Sequence, residues 1–107
     1  MHGIAHITGG AFTKLTRLVG ARRLQFRLEE FESASVPPIF RFLQREGRLG
    51  DDEMYKTFNM GVGLCLVTPP SEVEALLSDY RRRGLEGRQI GLVRKGRGVM
   101  VGTRRIA

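Results

Sequence analysis

Phe12, Leu15, Leu18 and Val19 recur at i, i+3, i+6 and i+7 behind an opening loop, which predicts a short helix beginning near Ala11 and stopping at Gly20. The period then changes. Leu24, Phe26 and Leu28 alternate with Arg23, Gln25 and Arg27, the pattern of a half-buried strand. An acidic EEFES leads to Val36-Pro37-Pro38, where the prolines impose extended geometry and Pro38 suits the first turn of a helix. That helix is expected from Pro38 to Glu46, with Ile39, Phe42 and Leu43 inward, Phe40 free to face either way and Gly47 just past the end. Asp51 has the side chain of an N-cap for a second short helix. Asp52 and Glu53 would complement its positive end, and Met54, Tyr55 and Phe58 would form its apolar side.

In NMGVGLCLVTPP, Gly61 and Gly63 break the helix, and Leu64 to Val67 form a continuous apolar run, expected to be a central strand buried on both faces. SEVEALLSDYRRRG combines a Ser71/Glu74 capping box, a stripe of Val73, Leu76, Leu77 and Tyr80, basic residues in the last turn and a Gly84 stop. The last stretch predicts two strands, with Ile90, Leu92 and Val93 on one and Val99, Met100 and Val101 on the other. They would be joined as a hairpin by Lys95-Gly96-Arg97-Gly98. The order loop, α, β, α, α, β, α, β, β describes an α+β single domain over residues 1–107, with a mixed or antiparallel sheet and helices mainly on one face.

Charge adds an asymmetry. Residues 1–80 hold 9 basic and 10 acidic side chains, whereas residues 81–107 hold 9 basic side chains and only Glu86, so the net +7 resides in the tail. Such a surface attracts phosphorylated small molecules or nucleic acid, but no aromatic residue follows Tyr80 to stack on bases, so nucleic acid is the weaker expectation. No apolar run approaches the roughly 18 residues of a membrane span, and the N-terminus lacks a secretory pattern, which places the chain in the cytoplasm by default. Cys65, the only cysteine, can form no internal disulfide, and its leucine neighbours suggest a buried, inert thiol.

Two stretches have the composition of a binding site. In the first, Thr8-Gly9-Gly10 precedes a helix, where free N–H groups and a positive dipole favour a phosphate; Thr8 offers a hydroxyl and His6 a ring donor. A simple tight turn has the same composition. In the second, Thr57 to Gly63, Asn59 provides an amide donor and acceptor beside Gly61, and a left-handed helix cap explains the same residues. The histidines lack further ligands at metal-binding spacing, and GxxxxGK[ST], HExxH and GxSxG are absent.

GIAHITGG at residues 3–10, PPIF at 37–40, EMYKTFNMGVG at 53–63 and IGLV at 90–93 stand in the order of a known family. Over roughly residues 3–101 the chain resembles the C-terminal part of the aminoimidazole ribonucleotide synthetases, also called phosphoribosylformylglycinamidine cyclo-ligases, of purine biosynthesis. The resemblance implies a truncated C-terminal domain that lacks the N-terminal domain and its own first elements. It also implies ring closure of formylglycinamidine ribonucleotide with ATP and Mg2+, whose main ligands are expected on the N-terminal domain. His6, Thr8, Gly9 and Gly10 would face the interdomain cleft, with Asn59 and Gly61 in the adjoining corner, and the catalytic residues stay unknown. Two departures stand in the opening stretch. Ala11 replaces a third glycine, and Lys14-Leu15-Thr16-Arg17 replaces a Glu-Asn pair followed by Leu-Pro-Arg. The implied partner is an N-terminal-type domain or subunit, or a second copy. A non-catalytic homo-oligomeric module binding phosphate or nucleotide, and a basic nucleic-acid accessory protein, are the alternative readings.

Overall fold

The computed structural model describes residues 2–20, 22–29, 31 and 35–107. Strand β1 (Gly3–His6) leads into a 3-10 helix (Ala11–Leu18), followed by β2 (Leu24–Leu28), α1 (Pro38–Gly47) and α2 (Asp51–Thr57). Next come β3 (Leu64–Val67), a 3-10 turn (Pro70–Glu72), α3 (Val73–Arg82), β4 (Gly91–Lys95), β5 (Gly98–Val101) and β6 (Arg104–Arg105). The α+β class holds, with two sheets: an antiparallel β1–β3 ribbon, and a mixed sheet in the order β4-β2-β5-β6.

The core lies where the 3-10 helix meets β1, β5 and α2. Phe12, Ile7, Leu15, Met54, Val99 and Val101 are almost wholly removed from solvent. Phe12, Phe31 and Tyr55 form a ring cluster with centroids 5.5–6.1 Å apart, and the Phe31 N–H donates to the Tyr55 hydroxyl at 3.2 Å. The inward positions of the first helix and of β2 therefore follow the sequence pattern, with Phe26 and Leu28 buried.

The expected terminal hairpin is replaced by a split arrangement. β2 lies between the two arms, antiparallel to β4 and parallel to β5, so that Phe26 has Val93 on one side and Val99 on the other. Lys95 and Gly98 are thus two strand spacings apart, about 9.6 Å, and the three Cα steps joining them reach about 11 Å. Gly96 N–H donates to the Arg23 carbonyl at 3.3 Å, and Gln25 Nε2 to the Arg97 carbonyl at 3.2 Å, pinning the bridge over the start of β2. Gly98 has φ 74°, and a Cβ there would meet the Ala107 carbonyl oxygen at 2.0 Å, so the bridge ends on a residue that must lack a side chain. Local pairing yields because β2 offers two edges and an apolar face to both arms.

Other expectations are corrected. β3 is not central: its one partner among the described residues is β1, and Leu64 is exposed. β1 itself occupies part of the expected opening loop, since Gly, Ala and His give a weak strand signal. Asp51 is the first residue of α2, after Gly50 as N-cap, so its carboxylate does not cap. It accepts instead from Gln44 Nε2 at 2.7 Å and pairs with Arg104 at 3.3 Å, while Asp52 holds the other Arg104 nitrogen at 3.0 Å. The Ser71/Glu74 capping box does not form. Pro69 and Pro70 start a 3-10 turn that already contains Ser71, and α3 begins only at Val73. The α3 stripe is half-buried at best, and Ile39 and Phe42 of α1 point outward while Phe40 packs inward.

Candidate functional site

The opening loop and the glycine corner meet. His6, exposed, ends β1 opposite Leu64, and the buried Ile7 donates its N–H to the Gly63 carbonyl at 2.9 Å, carrying the pairing past the ribbon. Thr8, Gly9 and Gly10 then form the turn into the 3-10 helix, with the Ala11 N–H on the Thr8 carbonyl at 2.8 Å and Gly10 at φ 82°. The N–H groups of Gly9 and Gly10 make no hydrogen bond among the described residues. Lys14, one 3-10 turn beyond Ala11, reaches back so that its Nζ donates to Thr8 Oγ1.

Ala11, which follows the two glycines, has φ 44° and no exposed surface. The backbone thus keeps the left-handed geometry a glycine favours, and its methyl is packed into the core. On the other side of the corner, Asn59 Oδ1 accepts the Gly61 N–H at 2.9 Å, and the Val62 N–H closes a turn on the Asn59 carbonyl at 2.8 Å. Asn59 is therefore no left-handed cap. The extended Phe58 ends α2, and Met60 and Gly61 take the positive φ values, 53° and 94°. A Cβ on Gly61 would lie 2.6 Å from Pro37 Cδ. Pro37 is thereby the third wall of the corner, a contact no local pattern disclosed.

All six candidate residues, His6, Thr8, Gly9, Gly10, Asn59 and Gly61, thus belong to two segments joined by one backbone hydrogen bond. Lys14 is the charged member that sequence reasoning treated only as a departure. Its signal was a cation near the N-terminus of a helix whose first turn holds no acidic residue, a position the dipole makes unfavourable for it unless an anion is near. The surface depression lined by Thr68, Glu72, Ala75, Leu76 and Asp79 lies along α3 and includes none of the six.

The remaining chemistry is sparse. Burial raises the Cys65 thiol from 9.0 to about 11, so the sulfur is protonated and inert near neutrality. Among the described residues no group of three or more His, Cys, Asp or Glu is placed to hold a metal ion, and no helix is long and apolar enough to cross a membrane. Several tail cations have partners within the fold. Arg82 and Arg83 pair with Asp79, Arg104 with Asp51 and Asp52, and Arg88 lies 5.1 Å from the Phe31 ring centroid.

The fold and corner define an α+β domain in which three separated motifs converge on a glycine-lined, partly cationic loop. Residues 1–103 match the AIR synthase related protein C-terminal domain family, and the chain belongs to it. Curated relatives named phosphoribosylformylglycinamidine cyclo-ligase include one from Pseudothermotoga lettingae, 39% identical over 102 residues, covering 94% of this chain and 30% of the relative. One from Xylella fastidiosa is 42% identical over 93 residues (87% and 26%), and one from Methanococcus maripaludis 35% over 91 residues (85% and 25%). The chain thus spans less than a third of the length of these relatives.

Proposed function

We propose that this chain forms one wall of the active-site cleft of an ATP-dependent cyclo-ligase that closes formylglycinamidine ribonucleotide to aminoimidazole ribonucleotide. The observation behind this reading is the convergence of the three family motifs. Ile7 is bonded to Gly63, and Gly61 abuts Pro37, so GIAHITGG, PPIF and NMGVG meet at one corner. In this reading Gly9 and Gly10 present backbone N–H groups to a phosphate, Lys14 supplies positive charge, Thr8 a hydroxyl proton, and Asn59 its amide donors. His6 borders the same mouth, and Gly61 sets the corner's closeness to Pro37.

In this proposal the main magnesium and ATP ligands and the opposite wall of the cleft belong to an N-terminal-type domain or subunit. The isolated 107-residue chain is expected to show no turnover, measured as ADP release with ATP, Mg2+ and formylglycinamidine ribonucleotide; steady product formation would refute the division of labour.

Gly9 permits a clean binding test. A Cβ there meets nothing within 4 Å and its φ is not positive, so Gly9→Ala leaves the fold intact while crowding an approaching phosphate oxygen. ATP or formylglycinamidine ribonucleotide should raise the melting temperature of the unsubstituted chain, and Gly9→Ala and Lys14→Ala should reduce that rise. Equal shifts in all three proteins, or none in any, would remove the loop from the reading.

A further inference from the structure

The mixed sheet turns Phe26, Leu28, Val99 and Val101 into the core, and strand alternation puts the residues between them on the opposite face. The register aligns Leu92, Arg27, Met100 and Arg105 in one row across β4, β2, β5 and β6, and sets Arg94 beside Gln25 in the next. All six are exposed or half-buried. Glu29, beyond the far end of β2, is the one acidic side chain in residues 22–29 and 87–107. The arginines of this face are held differently from Arg82, Arg83 and Arg104, which pair with carboxylates. Arg27 Nη1 donates to Gln25 Oε1 at 3.4 Å, Gln25 Nε2 to the Arg97 carbonyl at 3.2 Å, and Arg105 Nη1 to the carbonyls of Arg97 and Ala107 at 3.0 and 3.3 Å. The Arg94 side chain has no hydrogen bond or ion pair among the described residues. Neutral acceptors thus orient Arg27 and Arg105 without cancelling their charge. Bonded to the residue two positions back on its own face, the Arg27 guanidinium lies along β2, in the row between Leu92 and Met100.

We propose that this face of the sheet binds single-stranded nucleic acid, with phosphates on Arg94 and Arg105 and a base laid on the Arg27 guanidinium. Charge selects a polyanion, because the face sets three arginines against no acidic side chain of its own. Their arrangement selects a chain of charges over one phosphate. Arg94 and Arg27 are diagonal neighbours, about 7–8 Å apart, and Arg27 and Arg105 stand two strand spacings apart, about 9.6 Å. Gln25 and the Arg97 carbonyl lie between the Arg27 and Arg105 guanidinium groups, so these two do not close on one oxyanion. The centre of the face selects nucleic acid over an acidic polypeptide. A guanidinium plane held along the sheet between two apolar side chains is a stacking surface for a base, which a carboxylate does not use. It supplies what a tail without aromatic residues lacks. None of the six cleft residues lies on this face, so the inference is independent of the functional reading above.

The test titrates a fluorescently labelled oligouridine RNA of about 12 nucleotides with the full 107-residue chain, reading anisotropy between about 50 and 200 mM salt. The RNA should bind, and more weakly as salt rises. Arg94→Ala and Arg105→Ala should each lower the affinity and reduce the logarithmic salt slope by about 0.7. Arg27→Lys keeps the charge but loses the plane, and should lower the affinity about fivefold or more with the slope unchanged. Arg82→Ala removes the same charge from α3 and should leave the affinity within about twofold. Melting temperatures identify the folded variants, and Arg94 and Arg105, both exposed, keep the test decisive if Arg27→Lys does not fold. No binding at the lowest salt overturns the proposal, as do equal losses from Arg82→Ala and Arg94→Ala, which would reduce the effect to net charge. An affinity indifferent to a folded Arg27→Lys overturns it too. Tighter binding of an RNA duplex of the same length, of a polyglutamate peptide or of anionic lipid vesicles, lost in the same variants, would give the face a different occupant and overturn it as well.

Discussion

At Gly61, conformation and contact impose the same demand. With φ 94° and Pro37 Cδ 2.6 Å from a virtual Cβ, Gly61→Ala should cost about 2 kcal/mol or more by chemical denaturation. Ala11 is more nearly balanced. Ala11→Gly removes left-handed strain but also a buried methyl and adds chain entropy, so stability should change by less than about 1 kcal/mol. Ala11→Val, β-branched at φ 44° in a site with no free surface, should lose about 2 kcal/mol or more. Cys65 gives a pH-dependent case. Its folded pKa is raised above 9.0 to about 11, so the folded protein holds the proton longer than the unfolded chain does. The resulting stabilisation is complete below pH 9.0 and is lost as pH rises towards about 11, which should appear as a falling denaturation midpoint that Cys65→Ala flattens. Thiol labelling of the native protein should accordingly be slow at pH 8 compared with denatured protein.

At the scale of elements, Phe12 joins the first helix to the rest. Phe12→Ala removes a side chain with no exposed surface and opens the ring cluster, with an expected loss of about 3–5 kcal/mol, a large share of a small domain's stability. Arg104→Ala contrasts with it. Its pairs to Asp51 and Asp52 are about half exposed, so its loss should cost less than about 1 kcal/mol and diminish with added salt. The sequence disclosed the elements whose neighbours are implicit in their own period, such as β2 with its buried Phe26 and Leu28, and α2 with its buried Met54 and Tyr55. It could not disclose β1 and β6, four and two residues long, because their pairing depends on remote partners. The hairpin expectation failed for the same reason. Apolar arms around a Gly-rich bridge announce two strands, and nothing local says that a third will enter between them.

At the scale of the whole molecule, membership of the AIR synthase related family agrees with the order of blocks legible in the sequence. Those blocks located the loop and corner but not the Lys14–Thr8 contact or the Pro37 wall, which depend on the turn of the 3-10 helix and on tertiary approach. The apolar residues of α1 were legible too, but their period did not tell that Phe40 would turn to the core and leave Ile39 and Phe42 exposed. β2 has a consequence for synthesis. It leaves the ribosome before either of its neighbours, which lie in residues 91–101, beyond the excursion of residues 29–90. Throughout that interval Leu24, Phe26 and Leu28 lack the strands that will flank them, and the nascent chain must keep this segment from foreign edges until β4 and β5 emerge.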